Sequence, residues 1–154
     1  VTVYLDTSSL VKLYVAESDS DNVRAHVDRA TVVATSTIAY AEARAALARR
    51  RREQALKPAA FAAAKRQLDA DWPSYLAVQL TEALCRDAGQ LAERYALRGY
   101  DGVHLASFLE VARQASPAET EFSSFDERLN GAARRAARAL GRTVGRGRTG
   151  GASY

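Results

Sequence analysis

The chain has one cysteine, three prolines, one tryptophan and no methionine. Cys85 stands alone, so it can close no intrachain disulfide, and a CxxC metal site is excluded. Long apolar runs are missing too. The longest uncharged stretch, Ala30 to Ala41, is far short of the ~20 residues that a membrane helix needs. Asp6 interrupts the first apolar run and no basic stretch precedes it, so a signal peptide is not expected. With no membrane segment and no cysteine pair, the expected location is the cytoplasm. No internal repeat is present.

Apolar residues make up 47% of the 154, enough for one domain with a packed core. The net charge of +4 favours an anionic partner. Arginine far outnumbers lysine, and its planar fork suits bidentate contacts to phosphate.

The first fourteen residues organise the rest. Val1, Val3, Tyr4 and Leu5 suit a buried strand. Asp6 ends it, Thr7, Ser8 and Ser9 open a helix, and Leu10, Val11, Leu13 and Tyr14 continue at helical spacing. Asp6 therefore sits where a strand gives way to a helix, the edge at which open parallel sheets bind ligands. It is read either as a helix cap or as a site residue.

The same kind of position recurs. Thr31–Ser36 is a second strand, followed by a helix to about Glu53 that carries Glu42 in its second turn. Glu42 is bordered by Ile38, Ala39, Ala45 and Ala46, so it either complements the helix N-terminus or lines a site. Arg49 and Arg50 lie further along this helix, where they could hold the backbone of a long ligand. Pro58 opens another helix with a stripe of Phe61, Ala64, Leu68 and Trp72. Tyr75–Leu80 is a third strand and Thr81 starts the next helix. Gly99 reads as a helix stop and Asp101 as the opening of a further helix, with His104 one turn on, more readily a packed, hydrogen-bonded histidine than half of a metal pair. A weak strand near Thr120–Ser123 precedes Ser124-Phe-Asp-Glu127, which matches a capping box with Asp126 in the first helical turn. Thr143-Val144 reads as a short last strand, and Gly145–Tyr154 as a flexible basic tail.

Asp6, Glu42, Asp101 and Asp126 thus fall at or near the starts of helices. If the strands are parallel, these acids converge on one edge. Converging carboxylates repel and raise one another's pKa values, and a hard divalent cation relieves the repulsion. Oxygen-only ligands suit Mg²⁺ or Mn²⁺.

Four segments carry a resemblance: Leu5-Asp-Thr-Ser-Ser-Leu-Val-Lys-Leu-Tyr14, Ala41-Glu-Ala-Arg44, Arg98-Gly-Tyr-Asp-Gly-Val-His-Leu-Ala106 and Phe122-Ser-Ser-Phe-Asp-Glu-Arg-Leu129. In order and spacing they resemble the PIN-domain family, and within it the VapC-type toxin ribonucleases, over about residues 1–140. The resemblance implies an α/β fold, a three-layer α/β/α sandwich with a parallel sheet of about five strands. It implies that Asp6, Glu42, Asp101 and Asp126 bind Mg²⁺ or Mn²⁺, with Ser8 and Ser124 orienting them and Arg49, Arg50 and Arg98 touching RNA. The implied activity is metal-dependent endoribonucleolytic hydrolysis of single-stranded or loop RNA, leaving 5′-phosphate and 3′-hydroxyl ends. A VapB-like antitoxin and a homodimer, with the hairpin between Ile38 and Trp72 as contact, are the implied partners. Gly102 departs from the alanine the family often has, and Ser124 from threonine. The alternatives are a catalytically inactive RNA- or protein-binding module and an acid-metal phosphohydrolase. The aspartyl-phosphate form of the latter wants an acid two residues after Asp6, where Ser8 stands.

Overall fold

The computed structural model describes residues 1–148, with side chains to residue 142. Among the described residues four strands form one parallel sheet: β1 (Thr2–Leu5), β2 (Val32–Ser36), β3 (Leu76–Val78) and β4 (Thr120–Ser123), in the order β3-β2-β1-β4. The helices are α1 (Thr7–Lys12), α2 (Ser20–Asp28), α3 (Ile38–Arg52), α4 (Pro58–Asp71), α5 (Glu82–Tyr95), α6 (Gly99–Gln114) and α7 (Glu127–Arg148).

β1 is central and buried throughout, which is why its apolar run is unbroken. Its side chains alternate between two cores. Val3 and Leu5 join Leu10 and Val11 of α1, Ala39, Ala43 and Leu47 of α3, and Ala64 and Leu68 of α4. Tyr4 faces the other way, into Leu105, Phe108 and Leu109 of α6 and Leu129, Ala132 and Ala133 of α7. Helices therefore cover both faces of the sheet, giving an α/β/α sandwich. The Phe61, Ala64, Leu68 and Trp72 stripe of the α3–α4 hairpin packs onto the first of these cores.

Several boundaries differ from expectation. Thr143-Val144 lies in α7, not in a fifth strand. A helix already propagating gains a hydrogen bond per residue, whereas two residues cannot nucleate a strand that must also find a sheet edge. The expected basic tail is likewise helical to Arg148, and 149–154 lie outside the described residues. Gly99 is not the helix stop. α5 ends at Ala96, in the left-handed conformation with φ 53°, and Gly99 is the first residue of α6. Leu97 beyond the stop packs against the second core, and Arg128 Nη1 holds the Ala96 carbonyl at 3.2 Å.

The glycine that does matter is Gly102. A Cβ there would meet the Ala88 carbonyl oxygen at 2.5 Å and the Ala92 Cβ at 3.2 Å. Alanine normally gains ~1 kcal/mol over glycine inside a helix. Here the obstacle is backbone, which cannot rotate aside, so α5 must move away from α6. Gly102→Ala is expected to cost a net 1–3 kcal/mol, roughly the cost of overpacking a tight core, read as a lower melting temperature.

Candidate active site

The strand order places β1 between β2 and β4, so the chain departs from β1 to opposite sides of the sheet. The crevice beyond the carboxyl ends of β1 and β4 is the topological switch point, where open α/β sheets bind ligands. Asp6 follows β1 and Asp126 follows β4. Glu42 comes from the second turn of α3, after β2, and Asp101 from the first turn of α6. All four acids line one open cleft of about 310 Å³, together with Thr7, Ser8, Arg98, His104 and Phe125.

Asp6 is both cap and site residue. Its Oδ1 accepts from the Ser9 amide at 3.0 Å, closing the first turn of α1, and from Ser8 Oγ at 2.7 Å. Its Oδ2 accepts from Ser124 Oγ at 2.6 Å. Burial pushes its carboxyl above the usual range, against the pull of these hydrogen bonds. Ser124 is thus not the cap of α7. Asp126 is: its Oδ1 accepts from the Leu129 amide at 2.9 Å, which frees the Ser124 hydroxyl for Asp6. The S-x-x-E spacing is satisfied, but the helix starts one residue after Asp126, and a shorter acid adjoining the first turn caps as well as a serine.

Glu42 is held from below. Thr7 Oγ1 donates to its Oε1 at 2.7 Å, and His104 Nε2 lies 2.8 Å from the same oxygen. On the far side of the ring the Tyr4 hydroxyl is 3.0 Å from His104 Nδ1. Tyr4 is fully buried, which pushes its phenol well above its ordinary pKa and keeps it protonated. An ionised carboxylate only accepts, so the ring N–H at Nε2 points at Glu42, and Nδ1 accepts from the Tyr4 hydroxyl. Burial pushes Glu42 up, but the His104 and Thr7 hydrogen bonds outweigh it and leave the carboxyl below its usual range. His104 is a packed, hydrogen-bonded histidine, its two ring nitrogens taken up by Tyr4 and Glu42. It does belong to the cleft, a role its spacing from Asp101 does not indicate.

Asp101 accepts from Arg98 Nε at 2.9 Å, and Arg98 Nη2 is 3.8 Å from Asp126 Oδ2. The guanidinium therefore supplies positive charge between these two aspartates, and its side chain remains largely exposed. Arg49 and Arg50 do not reach the cleft. Arg49 pairs with Glu53 at 2.8 Å and Arg50 with Glu17, and both line a separate groove on α3.

Among the described residues no three His, Cys, Asp or Glu side chains are disposed to hold a metal ion as they stand. Each carboxylate is turned to a partner on the protein instead. The donor set still fits a hard cation: four carboxylates and two hydroxyls line one cleft, and no thiol or lysine lines it.

The PIN domain family profile matches residues 3–135, a span that contains all four acids, the first core and most of the second. The chain belongs to the PIN-domain family. It is 41% identical over 109 residues to Ribonuclease VapC45 of Mycobacterium tuberculosis strain CDC 1551 / Oshkosh, covering 71% of this chain and 76% of that protein. It is 41% identical over the same length to Ribonuclease VapC49 of strain ATCC 25618 / H37Rv, with the same coverage. Within the PIN domains the chain is of the VapC type. Its fold matches the crystal structure of PAE2754 from Pyrobaculum aerophilum with a TM-score of 0.58 at 21% identity, over 92% of this chain and 90% of that one. No helix of this PIN domain, among the described residues, is long and apolar enough to cross a membrane.

Proposed function

We propose that this PIN domain is the toxin of a VapBC-type pair, an endoribonuclease that hydrolyses single-stranded or loop RNA in the cytoplasm with Mg²⁺ or Mn²⁺. The observation that carries the reading is the convergence of Asp6, Glu42, Asp101 and Asp126 on the switch-point cleft. When bound, a hard divalent cation offsets the repulsion among these acids, polarises a phosphate oxygen and eases deprotonation of water. Asp6, Glu42, Asp101 and Asp126 would hold it.

The chain's own residues divide the remaining work. Ser8, Ser9 and Ser124 fix the plane of the Asp6 carboxylate, and Thr7 with His104 fixes that of Glu42. Rigid carboxylates select one approach for the phosphate, which is how positioning becomes rate. Arg98, exposed at the rim, can exchange Asp101 and Asp126 for a phosphate of the substrate. Arg49, exposed along α3, and Arg50 would meet RNA that extends beyond the cleft by exchanging Glu53 and Glu17 for its phosphates. A VapB-like antitoxin is the proposed protein partner. A homodimer is proposed too, and it would use the outer faces of α3 and α4, because the apolar stripe of that hairpin is spent on the chain's own core.

The test is incubation of the purified chain with RNA in Mg²⁺, and again after chelation with EDTA. Cleavage that leaves 5′-phosphate and 3′-hydroxyl ends and stops on chelation is the expected result. RNA binding without cleavage would make the chain a binding module and end this reading.

A further inference from the structure

Two aromatic rings among the described residues are strongly exposed, Tyr100 at 62% and Phe125 at 45%. The other aromatic side chains described are buried or half-buried. Each exposed ring immediately precedes an aspartate of the cleft: Tyr100 before Asp101, Phe125 before Asp126. Phe125 also lines the cleft itself. Neither ring is needed by the cores, and an exposed phenylalanine gains nothing from water.

Phe125 is, moreover, held in place. Its backbone N–H donates to Ser8 Oγ at 2.9 Å, and that same hydroxyl donates to Asp6 Oδ1. The Phe125 backbone is therefore one hydroxyl bridge away from the Asp6 carboxylate. Lys12 Nζ lies 4.6 Å from the ring centroid and is itself tied to the Ser18 carbonyl at 2.8 Å. An anchored ring of this kind costs little entropy to present to a flat ligand.

We propose that Phe125 is a stacking platform for an unpaired RNA base beside the phosphate that is cut, with Tyr100 as a second ring on the rim. The proposal rests on the ribonuclease reading above and adds to it the source of single-strand preference. A base inside a duplex has both faces covered by its neighbours, whereas an unpaired base can lay one face on a protein ring. The carboxylates of the cleft repel the phosphate backbone, so a contact that does not depend on charge adds affinity there beside Arg98. Stacking is such a contact, and it tolerates different bases because every base has a π-face.

The experiment uses the full chain with Asp6→Asn, so that RNA is bound but not cut, in Mg²⁺. The probe is a labelled, unstructured oligoribonucleotide taken from a sequence that the wild-type chain cuts, and affinity is read by fluorescence anisotropy. Phe125→Ala is expected to weaken binding about tenfold, with the slope of affinity against salt unchanged, because no phosphate contact is lost. Phe125→Trp retains the affinity, and Phe125→Leu, apolar but without a π-face, does not. An abasic nucleotide moved along the oligonucleotide should reach one position at which the chain with Phe125 intact and its Phe125→Ala variant bind equally. Unchanged affinity in Phe125→Ala overturns the proposal, as does a loss that persists with the abasic nucleotide at every position. Thermal melting of each variant shows whether it is folded. Failure of the ribonuclease reading would appear in the wild-type chain as absence of cleavage, whereas failure of the stacking proposal appears only in these variants.

Discussion

Asp6→Asn is expected to lower RNA cleavage by roughly a thousandfold or more, the effect of several kcal/mol of lost transition-state stabilisation, while raising the melting temperature of the cation-free chain. The two results have one cause. Asp6 is 5% exposed and pushed above its usual pKa by burial, so its charge is a liability in the folded chain until a cation answers it. Asparagine has nearly the same shape. Its Oδ1 can keep the Ser9 amide and Ser8 hydroxyl, and its Nδ2 can donate to Ser124 Oγ, which rotates to accept. The fold is retained and the charge is gone.

The pH dependence has a definite sign. A carboxyl whose folded pKa is raised contributes full stability below its unfolded pKa, about 3.9 for aspartate, and loses that contribution as pH rises through the folded value. The wild-type chain therefore carries the penalty at neutral pH and sheds it in acid. The gain in melting temperature from Asp6→Asn should be largest near neutrality and shrink as pH falls toward 4 (the unfolded value for aspartate, about 3.9). Glu42, lowered by His104 and Thr7, behaves in the opposite sense, but it does so in both proteins and leaves their difference alone. Adding Mn²⁺ should stabilise the wild-type chain more than the variant. Scanning calorimetry at several pH values, with and without Mn²⁺, checks all of this. An Asp6→Asn chain with undiminished metal-dependent cleavage would remove Asp6 from the site.

How much of this can be read from the chain depends on how local each signal is. β1, α1 and the position of Asp6 between them follow from a run of residues adjacent in sequence. So do the starts of α4 at Pro58 and of α5 at Thr81, whose hydroxyl accepts from the Leu84 amide. Parallel pairing of β1 with β2 and β4 then brings together acids separated by up to 120 positions, because consecutive strand ends share an edge. Signals that compete at one place mislead. Ser124 and Asp126 are both good caps, and only the geometry of Asp6 above them decides which one takes the helix. Gly99 looks like a stop, yet Ala96 takes the left-handed conformation because the tertiary contacts of Leu97 and Arg128 hold it there. Thr7 is visible only as a helix opener and Phe125 as one apolar residue among many. The links Tyr4–His104 and His104–Glu42 span 100 and 62 positions, so no periodicity or motif spacing connects them.

Those long-range links carry the second large effect. His104→Ala is expected to lower the stability of the chain by about 3 kcal/mol or more, from a core cavity and a buried phenol left without a partner, and to weaken Mn²⁺ binding and cleavage by roughly 10–100-fold, as removal of a group that orients a metal ligand does. The two losses can be separated. Tyr4→Phe alone should cost about 1–3 kcal/mol, because it leaves the buried His104 Nδ1 without its donor, while the ring still packs against Phe108 and Phe122. In the His104→Ala background the same change should cost nothing or restore stability, because it deletes the orphaned hydroxyl. Cleavage should not recover with it, because Glu42 still lacks the N–H that aims its carboxylate. His104→Gln restores an amide N–H toward Glu42 and should recover cleavage ahead of stability. Calorimetric titration with Mn²⁺ gives the binding loss independently of turnover, and steady-state kinetics should show it in kcat rather than KM for RNA. If His104→Ala melts lower yet binds Mn²⁺ and cuts RNA as the wild-type chain does, the histidine is a core residue and Glu42 needs no support beyond Thr7.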